Sequence, residues 1–240
     1  MKWIIGLSAG FICLSAGPLW AADPVLPELA NPEGYTSAIK ILLVLTLLSF
    51  VPSLMLAMTS FTRLVVVFSL LRQAMGTQGT PPNQVMAGLA LFMTFFIMQP
   101  VWNEIHEEAL TPYFDKEIQE AEAFEKAVGP MRSFMYKQIR KKDLSMFVDL
   151  AKIPQPKDLE EIPFNVLVPA FITSELRTAF EIAFLLYIPF LVIDMVVASV
   201  LMSMGMMLLP PVMISLPFKL MMFVLADGWN LIIQSLVESF

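Results

Sequence analysis

Between Ile182 and Phe218 a single side chain, Asp194, carries a charge. Roughly 20 apolar residues suffice for a helix to cross a bilayer's apolar slab of about 30 Å, and this run has the length for nearly two such crossings. Inside lipid the backbone must satisfy its own hydrogen bonds, which leaves helices or a closed barrel. The alternation of apolar and polar residues that a barrel requires is missing, so the run reads as helix. Gly205 and the Pro210-Pro211 pair divide it. That pattern predicts a hairpin of two membrane-competent helices, Pro189 to Met207 and Val212 to Leu236.

The first half repeats the theme. No charge falls between Lys40 and Arg63, enough for one crossing, with Pro52 expected to kink it. Arg63 to Gln73 reads as a helical connection, closed by the turn residues Gly76 to Asn83. A shorter apolar run, Val85 to Val101, ends at Pro100 and is expected to insert partly or pack on protein. Between these halves lies a polar stretch, Asn103 to Pro163, with acids leading into Arg140-Lys141-Lys142. Two or three amphipathic helices broken at Pro112, Pro130 and Pro154-Pro156 are expected there. The fold class is thus an all-α membrane protein of helical hairpins, with about four hydrophobic helices. Its parts are a signal peptide (1–22), a linker (23–38), a first hydrophobic hairpin (39–101), a polar periplasmic segment (102–164) and a C-terminal hydrophobic hairpin (165–240).

Composition agrees: 57% of residues are apolar and 15% charged, against about 45–50% and about 25% in soluble domains. The net charge of −6 comes without a basic stripe, so no nucleic-acid partner is expected. Lys2, the apolar Trp3 to Ala16 and the small Ala21 and Ala22 before Asp23-Pro24 fit a cleavable secretory signal; the alternative is an uncleaved anchor helix. Cys13, the one cysteine, lies within that signal, so disulfides and thiolate metal sites are excluded from the mature chain. A cleaved N-terminus outside and four crossings would put the Arg63–Asn83 connection inside, where Arg63 and Arg72 suit the positive-inside rule.

The intramembrane charges are few. An acid at mid-membrane costs about 2.5–3.5 kcal/mol on insertion scales, so Asp194 must face protein or water. It reads as a proton relay or a subunit contact, or as paired with Lys219 or with backbone donors of a neighbouring subunit, and pairing is the favoured reading because intramembrane charges usually pair. Glu175, Arg177 and Glu181 stand where the polar segment gives way to the apolar run, with Arg177 and Glu181 spaced to share a helix face. His106, the only histidine, cannot build a metal site alone. Nucleophile–base pairs, phosphate loops and metal-ligand clusters are lacking, so neither enzyme nor cofactor is expected. An ion-coupled transporter using Asp194, Glu181 and Lys219 would show internal repeats with paired broken helices, and the two hairpins share none.

Specific motifs go further. Pro169 to Leu176 with Ala179 to Ile182, the stretch Pro189 to Met207, Ile214 to Lys219 and Asp227 to Leu231 form one set. Met58 to Arg63, Leu70 to Ala74 and Thr80 to Val85 form another. Together they resemble the FliP family of type III export gate subunits. Two departures are visible: Ala183 stands where the family usually has Gly, and Leu208 and Leu209 where many members carry a further Met.

The resemblance implies a structural pore subunit of the flagellar type III export gate. It implies a homo-oligomer joined by FliQ-like and FliR-like subunits, with FlhA- and FlhB-like export components nearby. Unfolded export substrates would pass through a helical, cone-shaped complex in the inner membrane at the basal body, its hairpins tilted and standing partly above the bilayer. The injectisome homologue shares much of the second signature and is the alternative reading. Met206 and Met207, with Leu208 and Leu209, become candidates for a pore seal, since Met side chains close a channel yet yield to varied substrates; read alone, they are lipid- or core-facing apolar residues. Glu175, Arg177, Glu181, Asp194, Lys219 and Asp227 become candidates for assembly. N-terminal sequencing of protein extracted from membranes is expected to start after Ala21 or Ala22; a mature chain that still carries Trp3 would refute cleavage.

Overall fold

The computed structural model describes residues 32–77, 79–154, 156, 158, 161–206 and 209–240, without the side chains of 32–38 and 47. The expected signal peptide (1–22) and the first part of the linker therefore lie outside the described residues. All regular structure among the described residues is helical. The protein is an all-α membrane protein: among the described residues two helices are long and apolar enough to cross a membrane, or up to four if each bent pair forms one span.

The chain divides into two compact units, Met1–Val51 and Pro52–Phe240. The described part of the first belongs to α1, Pro32–Ala57, which runs unbroken through Pro52. The helix begins earlier than the expected linker end at residue 38. Its first residue is proline, whose fixed φ and missing N–H suit a helix start.

The second unit is a set of helices built along one long one. α2 (Phe61–Met75) buries Leu64, Val67, Phe68 and Leu71 on a single stripe, the spacing of a core-facing helix. It ends at Gly76, whose φ of 74° only glycine adopts without strain and whose N–H caps the Gln73 carbonyl. α3 (Asn83–Ile97) and α4 (Gln99–Ile105) follow. Pro100, in the first turn of α4, cannot donate its backbone hydrogen bond, and the chain bends by 54° at Met98. A π-helical turn, His106–Leu110, carries α4 into the short α5 (Thr111–Phe114). α6 (Glu120–Gln138) and α7 (Lys141–Ala151) complete the polar layer.

α8 is the axis. It spans Phe164–Ser203 without a break, 40 residues, or about 60 Å. The hairpin's first helix was expected to begin at Pro189. Instead Pro169 and Pro189 sit inside one helix. Its first half buries Val166, Leu167 and Phe171 against α6 and α7. Its second half packs on α2 and on α9 (Pro211–Leu225). The expected single helix Val212 to Leu236 is likewise two. α9 and α10 (Gly228–Glu238) meet at 64°, because Asp227 takes a left-handed φ of 50°. A Cβ on Gly228 would lie 2.4 Å from the Phe223 ring, so this corner closes only around glycine.

Arg63, read from the sequence as the first residue of a helical connection, is helical as expected but belongs to the core. It is 2% exposed at the start of α2, and Glu175, in α8, is fully buried beside it. Nε donates to Glu175 Oε2 at 2.9 Å and Nη2 to Oε1 at 2.5 Å. Nη2 also donates to Gln138 Oε1 at 3.0 Å, and Nη1 to the Ser239 carbonyl and hydroxyl at 2.8 and 3.0 Å. All five guanidinium N–H donors are thus matched. The Phe240 ring covers the guanidinium face at 3.7 Å. Removing one member of a buried pair costs about 3–5 kcal/mol. Arg63→Ala is therefore expected to lower the thermal stability of the detergent-extracted chain by that amount. Arg63→Lys should rescue little of it, because an ammonium cannot reproduce the planar fork. A melting temperature unchanged in either variant would show that the pair does not hold the fold.

Candidate functional site

The α8–α9 hairpin holds the residues that sequence reading singled out. Asp194 lies on α8 and Lys219 on α9, and the hairpin brings them together: Lys219 Nζ donates to Asp194 Oδ2 at 2.6 Å. Ser215, one helical turn before Lys219, donates to Asp194 Oδ1 at 2.5 Å, so both carboxylate oxygens are engaged. Lys219 is buried and also donates to the Ala74 carbonyl at 3.1 Å. That carbonyl is one of those a helix C-terminus leaves without an intrahelical donor, and a cation there suits the helix dipole. One ammonium thus ties α2, α8 and α9.

α2 is consequently pinned at both ends. Arg63 meets Glu175 at its start, and Ala74 meets Lys219 beside Asp194 at its end. It runs in the same direction as α8, and Lys219 spans the remaining gap. Past the pair, the hairpin is closed but not filled. A cleft of about 470 Å³ opens between the helices, lined by Val192, Val196, Val200 and Leu201 on one side and Ile214 and Phe218 on the other.

The hairpin tip turns at Gly205, whose φ is 76°. Met206 follows, with its N–H bonded to the Leu201 carbonyl at 3.0 Å. Met204 and Leu209 are exposed. Met207 and Leu208 lie outside the described residues.

At the other end of the apolar run Arg140, Arg177 and Glu181 form an exposed cluster. Arg140 Nη1 donates to Glu181 Oε1 at 2.9 Å, its Nη2 binds Oε2, and Arg177 Nε reaches Oε1 at 3.3 Å. The hydrogen bond that Arg140 donates to the Glu181 carboxylate raises the Arg140 pKa above its ordinary value. Glu175 is not part of this surface; it belongs to the buried Arg63 network. Asp227 is apart from all of these, at the α9–α10 corner, where it accepts from Asn230 at 3.2 Å.

Sequence reading passed over several participants. Arg63 was placed in a connection, and Ser215, Gln138 and Ser239 went unnoticed. So did Ser174, which is buried, donates to Asp143 Oδ2 at 2.8 Å and accepts from the Arg140 N–H. Arg63 left one signal: it is the first charge after a long apolar run. The serines left none, since their role depends on neighbours distant in sequence.

Comparison with known proteins accounts for these motifs. A profile described as the FliP family matches residues 44–236. The chain is 56% identical over 211 residues to the flagellar biosynthetic protein FliP of Bacillus subtilis (strain 168), covering 88% of this chain and 96% of that one. It is 52% identical to the protein of that name from Aquifex aeolicus (strain VF5), over 99% and 97% of the two chains. With the protein of the same name from Pectobacterium carotovorum subsp. carotovorum it shares 50% identity, over 98% and 92%. The chain therefore belongs to the FliP family.

Proposed function

We propose that this chain is a structural pore subunit of the flagellar type III export gate, passing unfolded flagellar subunits across the inner membrane. The observation that carries the reading is the outward apolar face of the α8–α9 hairpin. Phe184, Leu185 and Met195 of α8 are exposed, as are Met213, Met221 and Val224 of α9. One chain cannot cover this face, while its few charges are already paired. Such a surface needs lipid or neighbouring subunits on every side. Further copies of this chain, with FliQ-like and FliR-like subunits and FlhA- and FlhB-like components, supply them. The names of the relatives favour the flagellar over the injectisome setting. The polar layer of α4 to α7 then faces the periplasm.

The Asp194–Lys219 pair works as an assembly clamp in this reading. With both oxygens of Asp194 engaged, the geometry favours a fixed contact over a proton relay. Asp194 is 31% exposed, so the cost of breaking the contact is set by its charged hydrogen bonds, about 1.5–3 kcal/mol. Asp194→Asn is expected to destabilise the chain by that amount and to reduce both the yield of full-size complex and the swimming halo. Unchanged complex size and unchanged motility would remove Asp194 from the assembly residues.

The seal in this reading is Met206, Met207, Leu208 and Leu209, the four residues that follow Gly205 in sequence, contributed by several copies around one axis. Flexible thioether stems exclude water yet change rotamer under a passing chain. Truncating all four to Ala is expected to increase small-ion leakage through the assembled gate, with export partly retained. Wild-type tightness in a quadruple variant that still assembles would show that this loop is not the seal.

A further inference from the structure

Three charged side chains stand at the edge of the apolar run of α8, which begins at Ile182, directly after Glu181. Arg140, the residue before α7, holds both oxygens of Glu181. Arg177, one helical turn earlier on α8, reaches the same carboxylate through Nε alone, at 3.3 Å. Its Nη1 and Nη2 have no hydrogen-bond partner among the described residues. The trio sets two positive charges against one negative. Arg177 is 53% exposed, and exposed pairs of this kind contribute little to stability. Arg before Glu is also the weaker order on a helix. Fold stability therefore does not account for this guanidinium.

Beyond the charges runs an apolar groove. Residues 177, 181, 184 and 188 recur at spacings of four and three, so Arg177 heads the helix face that carries Phe184 and Ile188. That face borders a groove of about 370 Å³, lined by Phe180, Phe184, Tyr187, Ile188 and Leu191 of α8 and by Leu70 of α2. Its volume falls within the range of about 300–1,000 Å³ common to small-molecule sites. From Phe180 to Leu191 the helix rises about 16 Å, close to half of a bilayer's apolar slab of about 30 Å. Phe180, Phe184, Ile188 and Leu191 are all exposed.

We infer that the groove and the free edge of Arg177 together bind one anionic phospholipid, its acyl chain along α8 and its headgroup phosphate on the guanidinium. A guanidinium fork matches phosphate oxygens two at a time. Glu181, with its oxygens held by Arg140, braces Arg177 through Nε and leaves the Nη1–Nη2 edge for the phosphate. The positive excess of the trio disfavours a headgroup whose own ammonium cancels its phosphate. The parts also stand in the order of a lipid within one leaflet: charge at the edge of the apolar run, then apolar surface to the depth of that leaflet. The inference goes beyond the gate reading. It gives this stretch of the outward face to lipid and leaves the remainder to other subunits.

The test uses the full chain expressed with its gate subunits and extracted in mild detergent. The complex is exchanged into micelles holding equal amounts of phosphatidylglycerol and phosphatidylcholine, and retained lipid is counted by native mass spectrometry. Preferential retention of phosphatidylglycerol is expected. Arg177→Gln should lower that retention about tenfold, through loss of one charged hydrogen-bonding group. Ile188→Trp fills the groove while leaving every charge in place, and should lower it as well. Equal retention of the two lipids, or undiminished retention in either variant, overturns the inference. So does release of the lipid by inorganic phosphate, which would mark a phosphate site that makes no use of the groove. In native membranes, Phe184 replaced by the photo-reactive benzoylphenylalanine should give a phospholipid adduct. An adduct with another protein overturns the lipid site and leaves the gate reading standing. This arm keeps Arg177 and Ile188, so it decides the matter even where a variant fails to assemble. A chain that enters no complex refutes the gate reading alone, since retained lipid can be counted on the single chain as well.

Discussion

A fully buried ion pair organises this chain. Arg63 reaches acceptors on α6, α8 and the C-terminal residues at once, and no other side chain among the described residues joins so many elements. Burying two charges is expensive unless every donor has a partner, and here every guanidinium donor does. That requirement fixes more than a local contact. It sets the rotation of α2 about its own axis, since the face that holds Arg63 also carries Leu64, Val67 and Phe68 toward the core. At the far end of α2 the Lys219 ammonium imposes a second constraint on the Ala74 carbonyl. With both ends held, α2 is a splint along α8.

The two halves of α8 live in different surroundings because of this arrangement. From Val166 to Ala183 its buried residues recur at helical spacing against α2, α6 and α7. Beyond Ala183 only Phe190 and Leu201 are buried. Ala183, at that boundary, is itself buried. Past that point the helix has spent its intramolecular partners. Its remaining apolar surface turns outward, which is consistent with a subunit whose core is completed by neighbours or lipid.

Much of this could be read from the residues alone, and the reasons are local. The uncharged runs announced membrane-competent helices because charge is so costly in lipid. Gly76 and Gly205 announced turns because only glycine takes a positive φ freely. Asp194 and Lys219 could be paired on paper because they are the only candidates for each other in their run. What could not be read depended on distance. Glu175 lies 112 residues from Arg63, and no periodicity links them. The proline positions misled in both directions: Pro189 looked like a helix start and is interior, while the corner at Asp227-Gly228 comes from ring packing on Phe223 rather than from proline. The FliP resemblance was legible because its motifs fall on these constrained places.

The spread of the Arg63 acceptors along the chain bears on how the protein is made. A ribosome delivers residue 63 long before residues 138, 175 and 239. Until the last of these emerges, α2 carries a cation whose full set of partners does not yet exist. An unpaired arginine resists partition into lipid, so α2 has reason to stay at the interface or within the insertion machinery while α8 is synthesised. The core would then close late, by capture of an already helical α2 rather than by sequential stacking of spans from the N-terminus. The same guanidinium that locks the finished subunit would thereby delay its commitment to the bilayer.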